Sequence, residues 1–188
     1  MERKLLFLFL LIIGILSPTV LQAQVKDKGF FVEGSFAYAD EEQFSGGKHY
    51  ENYFIIKPAV GYQFNSKWNV GFKLEFQCGR NEGRRYRGII PFVRYNFCNL
   101  GKFHLFSEAK TSIYGKWKTM LGEDKSYLEA GLSLGASLPL NRHLKVICQY
   151  LHIGYSEQYQ KSGAFIHSGD WGIDANIKRL QLGLNWTF

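Results

Sequence analysis

Cysteine is scarce in this chain of 188 residues: its three thiols, Cys78, Cys98 and Cys148, are separated by 20 and 50 residues. An odd number of cysteines at these spacings matches no metal or redox motif. We interpret them as small apolar side chains that fill space. The sequence therefore predicts neither a metal site nor a cofactor.

Long apolar runs are equally few. The uncharged run of residues 5–16 follows Arg3 and Lys4 and ends before Ser17 and Pro18. It is shorter than the roughly 20 residues that span a bilayer as a helix, and Pro18 would break a helix. A basic start, a short apolar run and small residues up to Ala23 are typical of a secretory signal peptide. We expect residues 1–23 to be removed.

A linker is also missing, since no Pro/Ser-rich or charged segment divides residues 24–188. We therefore expect one domain over that range. Glycine and aromatic residues are abundant, with 20 Gly, 4 Trp, 11 Tyr and 16 Phe. This composition is unlike an average soluble domain and is usual for a chain with lipid-facing strands.

Apolar residues alternate with polar or small ones along most of the chain. From Trp68 to Cys78, every second residue is apolar, and the intervening ones include Asn69, Lys73 and Glu75. A period of two predicts a β-strand. The same test predicts eight strands, at residues 29–39, 53–64, 68–79, 88–97, 103–114, 127–140, 144–155 and 173–188. For residues 144–155 it stays open which residues point inward, because a slip of one residue inverts the two faces of a strand.

The connections between these strands alternate in length. Residues 65–67, 98–102 and 141–143 are short turns that contain Asn or Gly, as tight hairpins prefer. The segments that begin at Asp40, Arg80, Gly115 and Ser156 are longer and polar. Short turns at one end and long loops at the other predict an up-and-down barrel with short periplasmic turns and long outer loops.

Alternation is shared by soluble lipocalin-type barrels and by membrane barrels, so the contents of the polar face decide between them. That face is also small, whereas the apolar face carries residues such as Trp68, Phe72 and Trp186. Its small residues are Gly61, Gly71, Gly79, Gly131, Ser133, Gly135, Ser137 and Gly183. An eight-stranded barrel has only just enough interior width for side chains, so small residues belong inside. We predict an all-β, eight-stranded, antiparallel, up-and-down transmembrane β-barrel.

Five charged residues fall on the polar face near mid-strand, where facing lipid would cost roughly 2–4 kcal/mol each. They are Lys73, Glu75, Arg94, Glu108 and Lys110. We predict a charge network in the lumen, with Arg94 between Glu75 and Glu108 on neighbouring strands. A proton path or ion gate is the alternative, but a structural plug is favoured because barrels of this size lack an aqueous channel.

Aromatic residues concentrate near the strand ends, which predicts two interfacial girdles. The turn-side set is Tyr62, Phe64, Trp68, Tyr95, Phe97, Phe103, Trp186 and Phe188. The loop-side set is Tyr38, Tyr53, Phe76, Tyr86, Tyr114 and Tyr127.

The last eight residues, QLGLNWTF, resemble the β-signal by which the outer-membrane assembly machinery recognises its substrates. The matching positions are polar Gln181, Gly183 and hydrophobic Trp186 and Phe188. With the segments PAVGY (58–62) and PFVRY (91–95), the mature chain resembles the small outer-membrane β-barrel domain family of Gram-negative bacteria. The resemblance implies an outer-membrane location, and assembly machinery and periplasmic chaperones as partners during biogenesis. It implies no catalytic residues.

Two residue groups suggest chemistry at the outer rim. Outer-membrane hydrolases place His with Ser or Asp there, and the candidates are His152, His167, Ser168 and Asp170. Adjacent His167 and Ser168 would point to opposite faces of a strand, so no catalytic site is expected.

The second group is the densest basic run, Arg80, Arg84, Arg85 and Arg87. Our hypothesis is that these guanidinium groups bind the phosphates of lipopolysaccharide; the alternative is a solvated loop. Nucleic acid is not an expected partner despite the net charge of +7.

From these features we expect a monomer that contacts outer-membrane lipids. Its expected function is structural, adhesive or one of recognition, and it acts through extracellular loops without catalysis. Two alternatives stay open. One is an enzyme that acts on envelope lipids, and the other is a narrow channel for small hydrophobic solutes.

Overall fold

The structure is a computed structural model that describes residues 28–44, 48–79, 86–116, 127–156, 171–175 and 180–188. None of these segments forms a helix that could span a bilayer. The strands are β1 (Gly29–Phe44), β2 (Lys48–Gln63), β3 (Trp68–Gly79), β4 (Tyr86–Leu100), β5 (Phe103–Lys116), β6 (Tyr127–Pro139), β7 (Leu144–Ser156), β8 (Trp171–Asp174) and β9 (Gln181–Thr187).

The strands close into one antiparallel barrel. Each strand from β1 to β7 pairs with the next one along the chain. Both β8 and β9 pair with β7, and β9 also pairs with β1. Because β8 and β9 occupy one position in the wall, the barrel has eight strands. The predicted fold class, an all-β eight-stranded antiparallel barrel, is confirmed.

Short turns join the strands at one end of the barrel, which we call the turn end. In the first turn, the Asn65 side-chain oxygen accepts hydrogen bonds from the backbone N–H groups of Lys67 and Trp68, at 2.8 and 2.9 Å. Asn141 repeats this arrangement in the third turn. In the second, Gly101 adopts φ +62°, a conformation that favours glycine. Asparagine and glycine therefore set these turns for local reasons.

The opposite end, the loop end, differs from the prediction at its first connection. Residues 40–47 were expected to begin a long loop, yet β1 and β2 stay paired from Asp40 opposite Asn52 to Phe44 opposite Lys48. Backbone pairing needs no apolar face, so acidic residues there can still extend a hairpin.

The barrel is apolar outside and mostly polar inside. Phe72 points outward and is 60% exposed, whereas inward-facing Glu108 is 0% exposed. Small residues make room inside: a Cβ on Gly135 would lie 2.5 Å from both the Cys148 carbonyl oxygen and the Phe106 ring. Phe106 and Phe92 also face inward and are buried, although bulky residues were expected only on the outside.

A β-bulge in β7 decides which of its residues face the lumen. Leu134 pairs with Leu151, but the next residue, Gly135, pairs with Gln149, so Tyr150 is an extra residue in the wall. Gln149 and His152 are therefore both buried in the lumen, while Tyr150 is exposed on the outside. Strict alternation would have placed Gln149 and His152 on opposite faces.

The eighth strand is interrupted, so the predicted continuous strand over residues 173–188 is wrong. Gln181 lies opposite Gln149 and Asp174 lies opposite His152. The two pairs are seven residues apart on one side and three on the other, so one uninterrupted ladder cannot include both. The Tyr150 hydroxyl donates a hydrogen bond to the Ala175 carbonyl oxygen at this point.

Candidate functional site

The charged residues of the lumen meet because cross-strand neighbours point to the same face. Arg94 on β4 lies directly opposite Glu108 on β5. Two Arg94 nitrogens, Nε and Nη2, donate to Glu108 Oε2 at 3.0 and 2.7 Å. Adjacent strands place these groups within hydrogen-bond reach.

Arg94 also reaches across the lumen to Glu33, which was not among the predicted network residues. Its Nη1 and Nη2 atoms donate to Glu33 Oε2 and Oε1 at 2.9 and 3.0 Å. The guanidinium thus forms a forked pair with one carboxylate and a second pair with another. Arg94 links β1 to β5 through the barrel interior.

Lys73 completes what we call the central cluster, which consists of Glu33, Lys73, Arg94 and Glu108. The Lys73 Nζ atom lies 2.5 Å from Glu108 Oε1 and 3.9 Å from Glu33 Oε1. The Phe92 ring lies under Lys73 at 4.5 Å and also contacts the Arg94 guanidinium at 5.3 Å. All four charged side chains are buried, so each carboxylate depends on these two cations.

The predicted pairing of Glu75 with Arg94 is wrong, because Glu75 pairs with Lys57 at 2.9 Å. Arg94 lies opposite Asn69, six residues along β3 from Glu75. At about 3.3 Å per residue, six residues separate the two positions by roughly 20 Å. Strand adjacency alone does not fix register, and Lys57, which was not predicted as part of the network, is the partner of Glu75.

Among the side chains that the structure describes, inward-facing charges of the two signs are equal in number in the middle of the barrel. The acidic side chains are Glu33, Glu75, Glu108 and Glu129, and the basic ones are Lys57, Lys73, Arg94 and Lys110. Four of each sign give no net charge. Lys110 lies on β5, two residues from Glu108 and opposite Phe92. All five predicted network residues therefore face this interior. Lys73, Arg94 and Glu108 belong to the central cluster, whereas Glu75 pairs with Lys57.

His152, a candidate for rim chemistry, lies inside the barrel. Its Nδ1 atom is 3.0 Å from the Ser133 hydroxyl on the opposite strand, and the two residues are 5% and 4% exposed. The other members of the proposed set, His167, Ser168 and Asp170, lie outside the described residues. No group of three or more His, Cys, Asp or Glu side chains that could hold a metal ion occurs within the described part of the chain.

The C-terminal residues form the strand that closes the barrel. Gln181, Gly183 and Asn185 face the lumen, and Leu184, Trp186 and Phe188 are exposed on the outside. A Cβ on Gly183 would lie 2.8 Å from the Ser35 Cβ, so the two strands approach closely there. Asn185 Nδ2 donates to Glu33 Oε2 at 3.2 Å, which ties this strand to the central cluster. Recognition of this tail by assembly machinery stays a prediction.

Aromatic side chains form contacts around the turn end. Phe30 packs edge-on against Tyr62 at 5.0 Å, Trp68 contacts Tyr95 at 4.5 Å, and Trp186 stacks on the His143 ring. At the loop end, Tyr38 contacts Phe54 at 5.3 Å. The side chains of Tyr53, Tyr86, Tyr114 and Tyr127 lie outside what the structure describes.

The basic run of the second loop cannot be placed as a group. Arg80, Arg84 and Arg85 lie outside the described residues, and Arg87 is described only by its backbone position opposite Phe76. The signal-peptide residues 1–23 also lie outside them.

Comparison with known proteins gives a likeness of fold. No protein-family model matches the chain. No curated protein matches it. Among solved structures, the chain is similar to the crystal structure of Neisserial surface protein A, with a TM-score of 0.59 and 14% sequence identity. The alignment covers 87% of this chain and 99% of that one.

Proposed function

We propose that this chain is exported to the outer membrane of a Gram-negative cell. There it acts as a non-catalytic barrel with a structural, adhesive or recognising role through its outer loops. The fold likeness to a Neisserial surface protein and the C-terminal sequence pattern support the location. The partners we propose are outer-membrane lipids, lipopolysaccharide and, during biogenesis, assembly machinery and chaperones.

The outward surface supports a lipid environment. Outward-facing Phe36, Val60, Phe72 and Leu132 are each more than 40% exposed and lie on different strands. A continuous apolar exterior of this kind is unfavourable in water but suits the hydrocarbon of a bilayer. The aromatic contacts near the turn end fit the interface between hydrocarbon and headgroups.

The central cluster is the single observation that most favours a closed barrel over a transport channel. Arg94 spans the lumen from Glu33 on β1 to Glu108 on β5, and both ion pairs are buried. A hydrophobic solute would have to displace these paired charges, and breaking buried pairs costs several kcal/mol. This favours a closed barrel over a narrow channel.

Electrophoresis of a membrane-extracted sample tests the location and fold together. Unboiled protein should migrate differently from boiled protein, because a closed barrel stays folded until it is heated. The protein should also be in the outer-membrane fraction. Recovery as a freely soluble periplasmic protein would contradict the proposal.

Substitution of the second-loop arginines tests the recognition part. Changing Arg80, Arg84, Arg85 and Arg87 to Gln should reduce the lipopolysaccharide that co-purifies with the protein, because forked guanidinium–phosphate contacts are lost. Lys102→Gln at the turn end is the control and should leave it unchanged. Equal lipopolysaccharide in the wild type and the arginine variant would rule out this contact.

The enzyme alternative has one observation in its favour, the hydrogen bond between Ser133 and His152. Both side chains are almost completely buried, which leaves a substrate no described route to the serine oxygen. We therefore propose that this pair is structural.

A further inference from the structure

A small polar cavity opens at the turn end of the lumen. Its volume is about 130 Å³, and it lies between the first turn, the end of β4 and the inward-facing residues of β5, β6 and β7. The polar residues that line it are Gln63, Lys67, Asn96, His104, Ser137 and Lys145. We call it the turn-end vestibule. A single water needs only about 10–15 Å³ of such space, so the vestibule can hold a small polyatomic ion.

Charge at this end is not balanced as it is in the middle of the barrel. The described residues at the turn end include the cations Lys28, Lys67, Lys102, Arg142 and Lys145, and no Asp or Glu. Lys67 and Lys145 line the vestibule itself, and His104 is close enough to Lys145 for their charges to interact. Two cations in a partly enclosed cavity without a carboxylate favour a bound anion.

The lining is held in place by its own hydrogen bonds. Lys145 Nζ donates to Gln63 Oε1 at 2.8 Å, and Asn96 Nδ2 donates to the Ser66 carbonyl oxygen at 2.7 Å. The His104 ring also faces this polar space. The groups come from six strands or turns around the cavity, which suits a tetrahedral oxyanion because its oxygens point in several directions.

The depth of the vestibule points to phosphate. Tyr62, Trp68, Tyr95 and Trp186 surround the outside of the barrel near the turns. Such a belt lies at the level of the lipid headgroups. We infer that the turn-end vestibule binds a phosphate group, either as free phosphate or as part of a phospholipid headgroup.

Calorimetric titration of the purified protein in uncharged detergent with inorganic phosphate tests this inference. The vestibule variant is Lys67→Gln with Lys145→Gln. Its matched control, Lys102→Gln with Arg142→Gln, removes the same charge from the same end but outside the vestibule. Wild-type protein should bind phosphate saturably, the vestibule variant at least tenfold more weakly, and the control within about twofold of wild type.

Two results would overturn the inference. One is the absence of saturable phosphate binding by the wild type. The other is equally weakened phosphate binding in both variants, which would indicate general electrostatic attraction by the turn end. The shift in gel mobility on heating shows that each variant is folded. Native mass spectrometry with phosphatidylglycerol then separates the sources. Displacement of phosphate by the lipid identifies a headgroup site, and lack of displacement identifies a site for free phosphate.

Cys98 provides a second readout, because this free thiol also lines the vestibule. With Cys78→Ser and Cys148→Ser, Cys98 is the remaining thiol, and its reaction with a dianionic aromatic disulfide can be timed. Phosphate should slow this reaction severalfold in protein with Lys67 and Lys145 and leave it unchanged in the vestibule variant. A rate that does not respond to phosphate in either protein would count against the site.

Discussion

Replacement of Arg94 by alanine tests whether the central cluster stabilises the barrel. The substitution removes four hydrogen bonds to Glu33 and Glu108 and leaves both carboxylates buried. Lys73 stays as the remaining cation near both, at 2.5 Å from Glu108 and 3.9 Å from Glu33. The ammonium group of Lys73 must then compensate the charges of both carboxylates.

The expected loss follows from this geometry. Removing one partner of a buried ion pair typically costs about 3–5 kcal/mol, and because Lys73 compensates in part we expect about 3 kcal/mol. Arg94→Lys keeps the charge but loses the fork that contacts two carboxylates, so it should cost about 1.5–3 kcal/mol. The double variant with Arg94→Ala and Glu33→Gln should be about 1 kcal/mol more stable than Arg94→Ala alone, since it has one uncompensated charge fewer.

The measurement is the free energy of unfolding in lipid vesicles, from urea titration followed by tryptophan fluorescence. Arg142→Ala is the matched control, because Arg142 is exposed in the third turn; its effect should stay within about 0.5 kcal/mol. If Arg94→Ala falls within 1 kcal/mol of the control, the central cluster does not stabilise the fold as argued.

Three further substitutions test the faces and the lumen. Phe72→Arg should cost about 2–4 kcal/mol by the same titration if Phe72 faces lipid, whereas in a soluble barrel this exposed position would tolerate the change. Gly135→Ala should cost about 1–3 kcal/mol because its Cβ would lie 2.5 Å from its neighbours. Gly34→Ala is the control, because a Cβ at Gly34 would have nothing within 4 Å. Equal losses of stability in the two variants would mean that the lumen is loosely packed. His152→Ala should cost about 2–4 kcal/mol, because it removes the bond to Ser133 and leaves a cavity in place of a buried ring. Mass spectra of envelope lipids should not change; an altered acyl pattern would favour the enzyme alternative.

Much of the wall could be predicted from the sequence, because alternation is a local property. The strand Trp68–Gly79 has the predicted bounds, and short turns with Asn65 and Asn141 lie where expected. The inward position of Arg94 and Glu108 also followed from alternation, since both occupy the small, polar face. Local pattern and final structure agree wherever a strand has no irregularity.

The features that the sequence could not give depend on register. Tyr150 is an extra residue only because Leu151 and Gln149 pair with adjacent residues of β6. Glu33 and Arg94 pair across the lumen although 61 residues separate them in the sequence. The alternation of apolar and polar residues does not indicate which residues lie opposite each other, because it fixes the face of a residue and not its height in the barrel.

Closure of the wall and sealing of the lumen are coupled through the C-terminal strand. Glu33 lies opposite Asn185 and accepts its hydrogen bond, while the same carboxylate binds Arg94 from across the lumen. Until β9 pairs with β1, Glu33 lies on an open edge and Arg94 lacks one of its two carboxylates in a fixed place. Buried apolar side chains such as Phe31 and Phe92 contribute to the interior, but their contacts are not directional, so the paired charges and the close glycine contacts help to specify how the strands meet. The inward residues of the tail therefore help to fix the closed register, while Trp186 and Phe188 on its outward face stay exposed to the surroundings of the barrel.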